Sequence, residues 1–102
     1  MIQTKQELIR TLQANREKIL SFGVNRLGLF GSFVRNEANA GSDVDFLVEF
    51  KKGKKSYDNL FDLHEILSDL TQRKVEVVTK KGLSKYFGHR ILKETEYVLE
   101  AI

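Results

Sequence analysis

Gly31 and Ser32 close a short apolar run, Leu27-Gly28-Leu29-Phe30, and after ten intervening residues Asp43-Val44-Asp45 opens another. A glycine just past a strand permits a tight turn and lets the backbone come close to a phosphate oxygen. Ser32 can offer its hydroxyl and amide to that oxygen, or cap a short helix whose N-terminus favours negative charge. Arg35, one turn on, can bring a guanidinium to the same anion. Asp43 and Asp45, two positions apart on a strand, project from one face about 7 Å apart. Like charges placed so repel and raise one pKa, unless a hard divalent cation such as Mg2+ or Mn2+ accepts both. A phosphate turn joined to a carboxylate pair predicts metal-dependent phosphoryl-transfer chemistry.

A third acid stands in an apolar setting. Glu76 is flanked by Val75, Val77 and Val78, where a carboxylate is costly unless it is exposed, paired or bound to metal. It reads as a metal ligand, as acceptor of the proton from an attacking hydroxyl, or as a strand-edge residue facing solvent. His64, His89, Tyr57, Tyr86 and Tyr97 read as surface or packing residues. Lys80, Lys81 and Lys85 read as a solvated loop. So do Lys51, Lys52, Lys54 and Lys55, with no interleaved aromatic of the kind a single-strand binding surface uses.

Several elements must carry these residues. Thr4-Lys5-Gln6-Glu7 forms a capping box, and Leu8, Leu12 and Ile19 continue as a helical stripe that Gly23 can terminate. Leu27 to Phe30 is a short strand. Ser42 to Phe50 is a longer one, with Val44, Phe46 and Val48 on one face and Asp43, Asp45 and Glu49 on the other. A leucine stripe (Leu60, Leu63, Leu67, Leu70) marks a helix, and Arg73 to Thr79 a third strand. Phe87, Ile91, Val98 and Ile102 predict a closing helix. With a short helix after Ser32, the order is helix, strand, helix, strand, helix, strand, helix. The expected fold is α/β or α+β, a small mixed sheet flanked by helices.

The length of 102 residues predicts a single domain over 1–102, leaving part of any acceptor site to a partner. With no cysteine, disulfides and thiolate metal sites are excluded. The first residues lack an apolar signal core and no stretch reaches membrane-spanning length, so a cytoplasmic location is expected. The formal charge of +3 is too small an excess to argue by itself for a nucleic-acid partner.

Gly31-Ser32 followed by Asp43-x-Asp45 resembles the signature of the minimal nucleotidyltransferases, a short branch of the DNA polymerase beta superfamily. The resemblance spans nearly the whole chain. It implies a polymerase-beta-type core in which Gly31, Ser32 and Arg35 hold the phosphates of ATP, while Asp43, Asp45 and Glu76 bind two Mg2+ ions. It further implies the antitoxin half of a two-gene toxin–antitoxin module. There AMP passes from ATP to a tyrosine of a HEPN-domain ribonuclease, the partner in a hetero-oligomer. Two positions depart from the family pattern: Asn36 stands where glycine is usual, and Glu76 where aspartate is. The second motivates an alternative, an inactive antitoxin that neutralises by binding alone. Transfer to a small molecule such as an aminoglycoside is disfavoured by the absence of room for a second domain.

Overall fold

The computed structural model describes residues 2–83 and 88–101. Thr4 starts α1 (Lys5–Ala14), its side chain accepting the Glu7 amide proton at 3.1 Å. Such a cap is worth about 1 kcal/mol. The helix stops at Asn15 instead of running toward Gly23. The Asn15 side chain donates to the Thr11 carbonyl at 2.8 Å, a local bond that competes with helical geometry, and α2 (Arg16–Leu20) begins afresh. Gly23 takes φ +82°, as its terminating role requires, and β1 (Val24–Phe30) follows at once.

No helix forms between β1 and β2 (Val44–Phe50). Ser32 enters a turn, and β2 begins two residues later than its alternation predicts. The Ser42 carbonyl is taken by Arg73, leaving it unavailable to the ladder. Asp43 therefore lies just before the strand. Ser56 caps α3 (Tyr57–Thr71) by accepting from the Asn59 amide, and Gln72 ends it in the left-handed region at φ 55°. β3 (Val75–Thr79) and a 3-10 turn (Lys80–Gly82) come next.

The closing helix is shorter than the apolar spacing predicts. α4 covers Gly88–Glu94, and Glu96–Glu100 forms β4. Phe87 and Ile102, two of the four residues that motivated the longer helix, lie outside the described residues. Thr95 folds its hydroxyl back onto the Ile91 carbonyl at 2.6 Å, and the chain turns into an edge strand. β1 demands this partner, because its backbone is buried over most of its length and needs hydrogen bonds on both sides.

The sheet order is β3-β2-β1-β4, with β1 antiparallel to β2 and β4, and β2 parallel to β3. Val44, Phe46 and Val48 join Leu8, Leu12, Ile19, Leu63 and Leu67 in the core on one face. The other face carries Asp45 at one end and Glu49 at the other. There Glu49 accepts from Tyr97 at 2.6 Å and from Arg26 at 2.7 Å, and Arg26 stacks on the Tyr97 ring. Burial works against the Glu49 carboxylate, but these donors prevail and hold its pKa below the usual range. Tyr97 is thus a packing residue with a polar anchor. None of the described helices is long and apolar enough to cross a membrane.

Candidate active site

The antiparallel register sets Phe30 opposite Asp45, and the parallel register sets Asp45 beside Glu76. Gly31 therefore emerges from β1 directly against the second aspartate. It takes φ +79°, and a Cβ built on it would collide with Asp45 Oδ2. Only glycine satisfies both constraints. Gly31→Ala is expected to cost about 2 kcal/mol, through left-handed strain and displacement of the Asp45 carboxylate, and to lower Tm by roughly 10 °C in a thermal melt.

Beyond Gly31 the backbone closes a compact turn. The Arg35 amide donates to the Gly31 carbonyl at 3.3 Å and the Glu37 amide to the Ser32 carbonyl at 2.9 Å. Asn36 completes the turn at φ 58°. Asparagine tolerates that conformation where most side chains do not, so replacement of the usual glycine preserves the turn. Among the described residues the half-buried Ser32 hydroxyl makes no hydrogen bond.

Arg73 fixes the loop that delivers Asp43. It is 8% exposed, and its guanidinium donates to the carbonyls of Ile2 at 2.6 Å and of Asn39 and Ser42 at 2.9 Å. It also lies over the Phe33 ring, 5.0 Å from the centroid. One buried cation thus ties the Gly31 turn to the segment before Asp43. Nothing in its sequence position, two residues before β3, signals that role.

The acids are unevenly placed. Asp43 and Glu76 are exposed, while Asp45 is half-buried between them. Burial first, then the Glu76 and Asp43 charges and a hydrogen bond with Glu76, push the Asp45 pKa up to about 6, against a smaller opposing pull from Arg35. This crowding of negative charge fits a divalent cation, since one bound ion relieves every unfavourable contribution except the burial. Among the described residues, however, no three acids or histidines are gathered closely enough to form a ready-made metal set.

Arg35 does not stand free to await an anion. It pairs with Glu37 at 2.6 Å and with Glu94 from α4. The second oxygen of Glu94 accepts the Gly31 amide at 3.1 Å. Gly31, Arg35 and Glu94 border a cleft of about 770 Å³ whose remaining wall includes His89, Arg90 and Lys93 of α4. Sequence reasoning missed Glu94 and the α4 cations and left His89 as a surface or packing residue. His64 contacts the Val75 carbonyl at 3.3 Å, a packing role. A smaller hollow, about 210 Å³, lies at the far ends of β2 and β3 among Lys51, Lys52, Lys55 and Lys80.

With this geometry in hand, comparison with known proteins gives a consistent answer. The nucleotidyltransferase domain family matches residues 8–98, and the chain belongs to it. The protein adenylyltransferase MntA of Thermococcus cleftensis is 36% identical over 96 residues, covering 93% of this chain and 96% of that protein. A solved structure, provisionally described as a minimal nucleotidyltransferase, superposes with a TM-score of 0.70 at 34% identity, covering 86% of this chain and 93% of the other. The fold also matches an MNT antitoxin complex with tri-AMPylated HEPN toxin from Shewanella oneidensis. That match has a TM-score of 0.58 at 17% identity, covering 87% of this chain and 72% of the matched one. The four-stranded mixed sheet is thus the minimal nucleotidyltransferase fold expected from the Gly31-Ser32 and Asp43-x-Asp45 pattern.

Proposed function

We propose that the chain, as a single minimal domain, is a cytoplasmic protein adenylyltransferase antitoxin that transfers AMP from ATP to a tyrosine hydroxyl of a HEPN-domain toxin. The observation that carries this reading is the seating of the Gly31 turn directly against Asp45, with Glu76 alongside. Triphosphate-binding groups and acids thereby share one corner of the sheet. Gly31, Ser32 and Arg35 bind and orient the triphosphate. Asp43, Asp45 and Glu76 are the residues that would hold Mg2+, in one or two ions. The bound metal supplies neutralisation of phosphate charge and Lewis acidity at the reacting phosphoryl group. Glu76, exposed at the sheet edge, either shares in holding the metal or accepts the proton of the incoming hydroxyl. That hydroxyl oxygen forms the new bond to the α-phosphorus as the bond to pyrophosphate breaks.

Incubation with ATP, Mg2+ and the cognate helical toxin is expected to add adenylate to the toxin, read by intact mass. Asp43→Asn combined with Asp45→Asn should reduce the rate about a hundredfold or more. A wild-type chain that leaves the toxin unmodified sinks the proposal. One observation favours the second reading, a binding-only antitoxin: no three-residue metal set is already gathered among the described residues. That reading predicts a complex that forms without nucleotide and neutralises the toxin equally well after the double substitution.

A further inference from the structure

The geometry points to Glu94 as a positioning residue for phosphate recognition: its carboxylate clamps the Gly31 amide and the Arg35 guanidinium into one unit and anchors α4 beside them. This inference rests on the nucleotide-binding reading above and concerns a residue to which that reading gives no role.

Both carboxylate oxygens are committed. One accepts from the Gly31 backbone at 3.1 Å and the other meets Arg35 Nη1, although Glu94 lies 63 and 59 residues away from these partners in the chain. Arg35 Nε is held by Glu37 at 2.6 Å. Two acids therefore fix the guanidinium on two of its donors, and Nη2 has no partner among the described residues. A guanidinium oriented before its ligand arrives loses less conformational freedom on binding. The clamp also acts through the helix. Glu94 is the last residue of α4, whose His89, Arg90 and Lys93 line the same cleft as Gly31 and Arg35. The positive charges of Arg90 and Lys93 offset the two acids on Arg35 and leave the wall favourable to a polyphosphate. Releasing Glu94 would loosen Arg35 and uncouple the α4 cations from the turn.

The test measures binding of MgATP and of inorganic tripolyphosphate to the full chain by calorimetry. Glu94→Ala is expected to weaken both about tenfold, and Glu94→Gln, which keeps an acceptor for Gly31 but lacks the charge for Arg35, about threefold. Glu94→Gln also serves if the alanine variant unfolds. In a cycle with Arg35→Ala, the double variant should lose less than the product of the single losses, because Glu94 acts partly through Arg35. A merely structural residue would show fully multiplying losses, and that result overturns the inference. Unchanged binding in a folded variant overturns it too, as does tighter binding, which would mark the carboxylate as a competitor for the phosphate seat. A wild-type chain that binds neither probe overturns the nucleotide-binding reading, and this inference with it.

Discussion

Asp45→Asn is expected to abolish nucleotidyl transfer while making the metal-free protein more stable. The Asp45 pKa is pushed to about 6 by burial and by the Glu76 and Asp43 charges, so the ionised form is disfavoured in the folded state. The folded chain binds the Asp45 proton more tightly than the unfolded chain, and stability from this group falls as pH rises from about 4 to about 6. Above that range the whole penalty is present. Allowing for solvent screening of a half-buried group, it amounts to roughly 1–2 kcal/mol, or about 5–10 °C in Tm for a domain of this size. Thermal melts at pH 7.5 should place the asparagine variant above wild type, and the gap should close as the pH is lowered toward 4. Saturating Mg2+ should close it as well, by raising the wild-type Tm alone. A variant no more stable than wild type at neutral pH would show that Asp45 bears no such strain.

The second large effect falls on Arg73, outside the acid cluster. Replacing it with methionine keeps much of the packing volume but removes the donors to the Ile2, Asn39 and Ser42 carbonyls. Loss of the only donor to the Ile2 and Ser42 carbonyls among the described residues (the Asn39 carbonyl still accepts from the Ser42 amide) and of the ring contact is expected to cost about 3 kcal/mol, which lowers Tm by roughly 15 °C. Because Ser42 immediately precedes Asp43, transfer activity should fall even at temperatures where the variant is fully folded. Arg73→Lys keeps the charge but lacks the planar fork, and is expected to recover only part of either loss. Urea titration together with an adenylation assay at low temperature separates the two effects. Undiminished activity in folded Arg73→Met would mean that the loop holds Asp43 in place without this cation.

Local patterns revealed the parts of the site that lie close together in the chain. The Gly31 turn, the Asp45 strand and the Thr4 cap depend on neighbouring residues, and Asn36 could be judged by its backbone tolerance alone. β4 could not be found this way. Ile91 and Val98, seven residues apart, suit a helix, whereas the need of β1 for a second neighbour appears only once the sheet is assembled. The run Tyr97-Val98-Leu99 after Thr95, rich in strand-favouring residues, was the available signal. Glu94 and Arg73 escaped for a related reason: their partners are other elements' backbone groups or distant side chains, which leave no spacing in the sequence. The break at Asn15 was missed because an apolar stripe can persist across two helices.

The contact between Gly31 and Asp45 makes these positions a poor place for independent drift. Trimming the side chain at 45 relieves the contact but not the strain of φ +79° at residue 31, so a selection for soluble expression would recover losses of the aspartate as partial suppressors of Gly31→Ala. A selection for toxin modification would reject the same pairs. Lineages that abandoned catalysis for simple sequestration should therefore carry paired changes at the two sites, and lineages that kept it should carry neither.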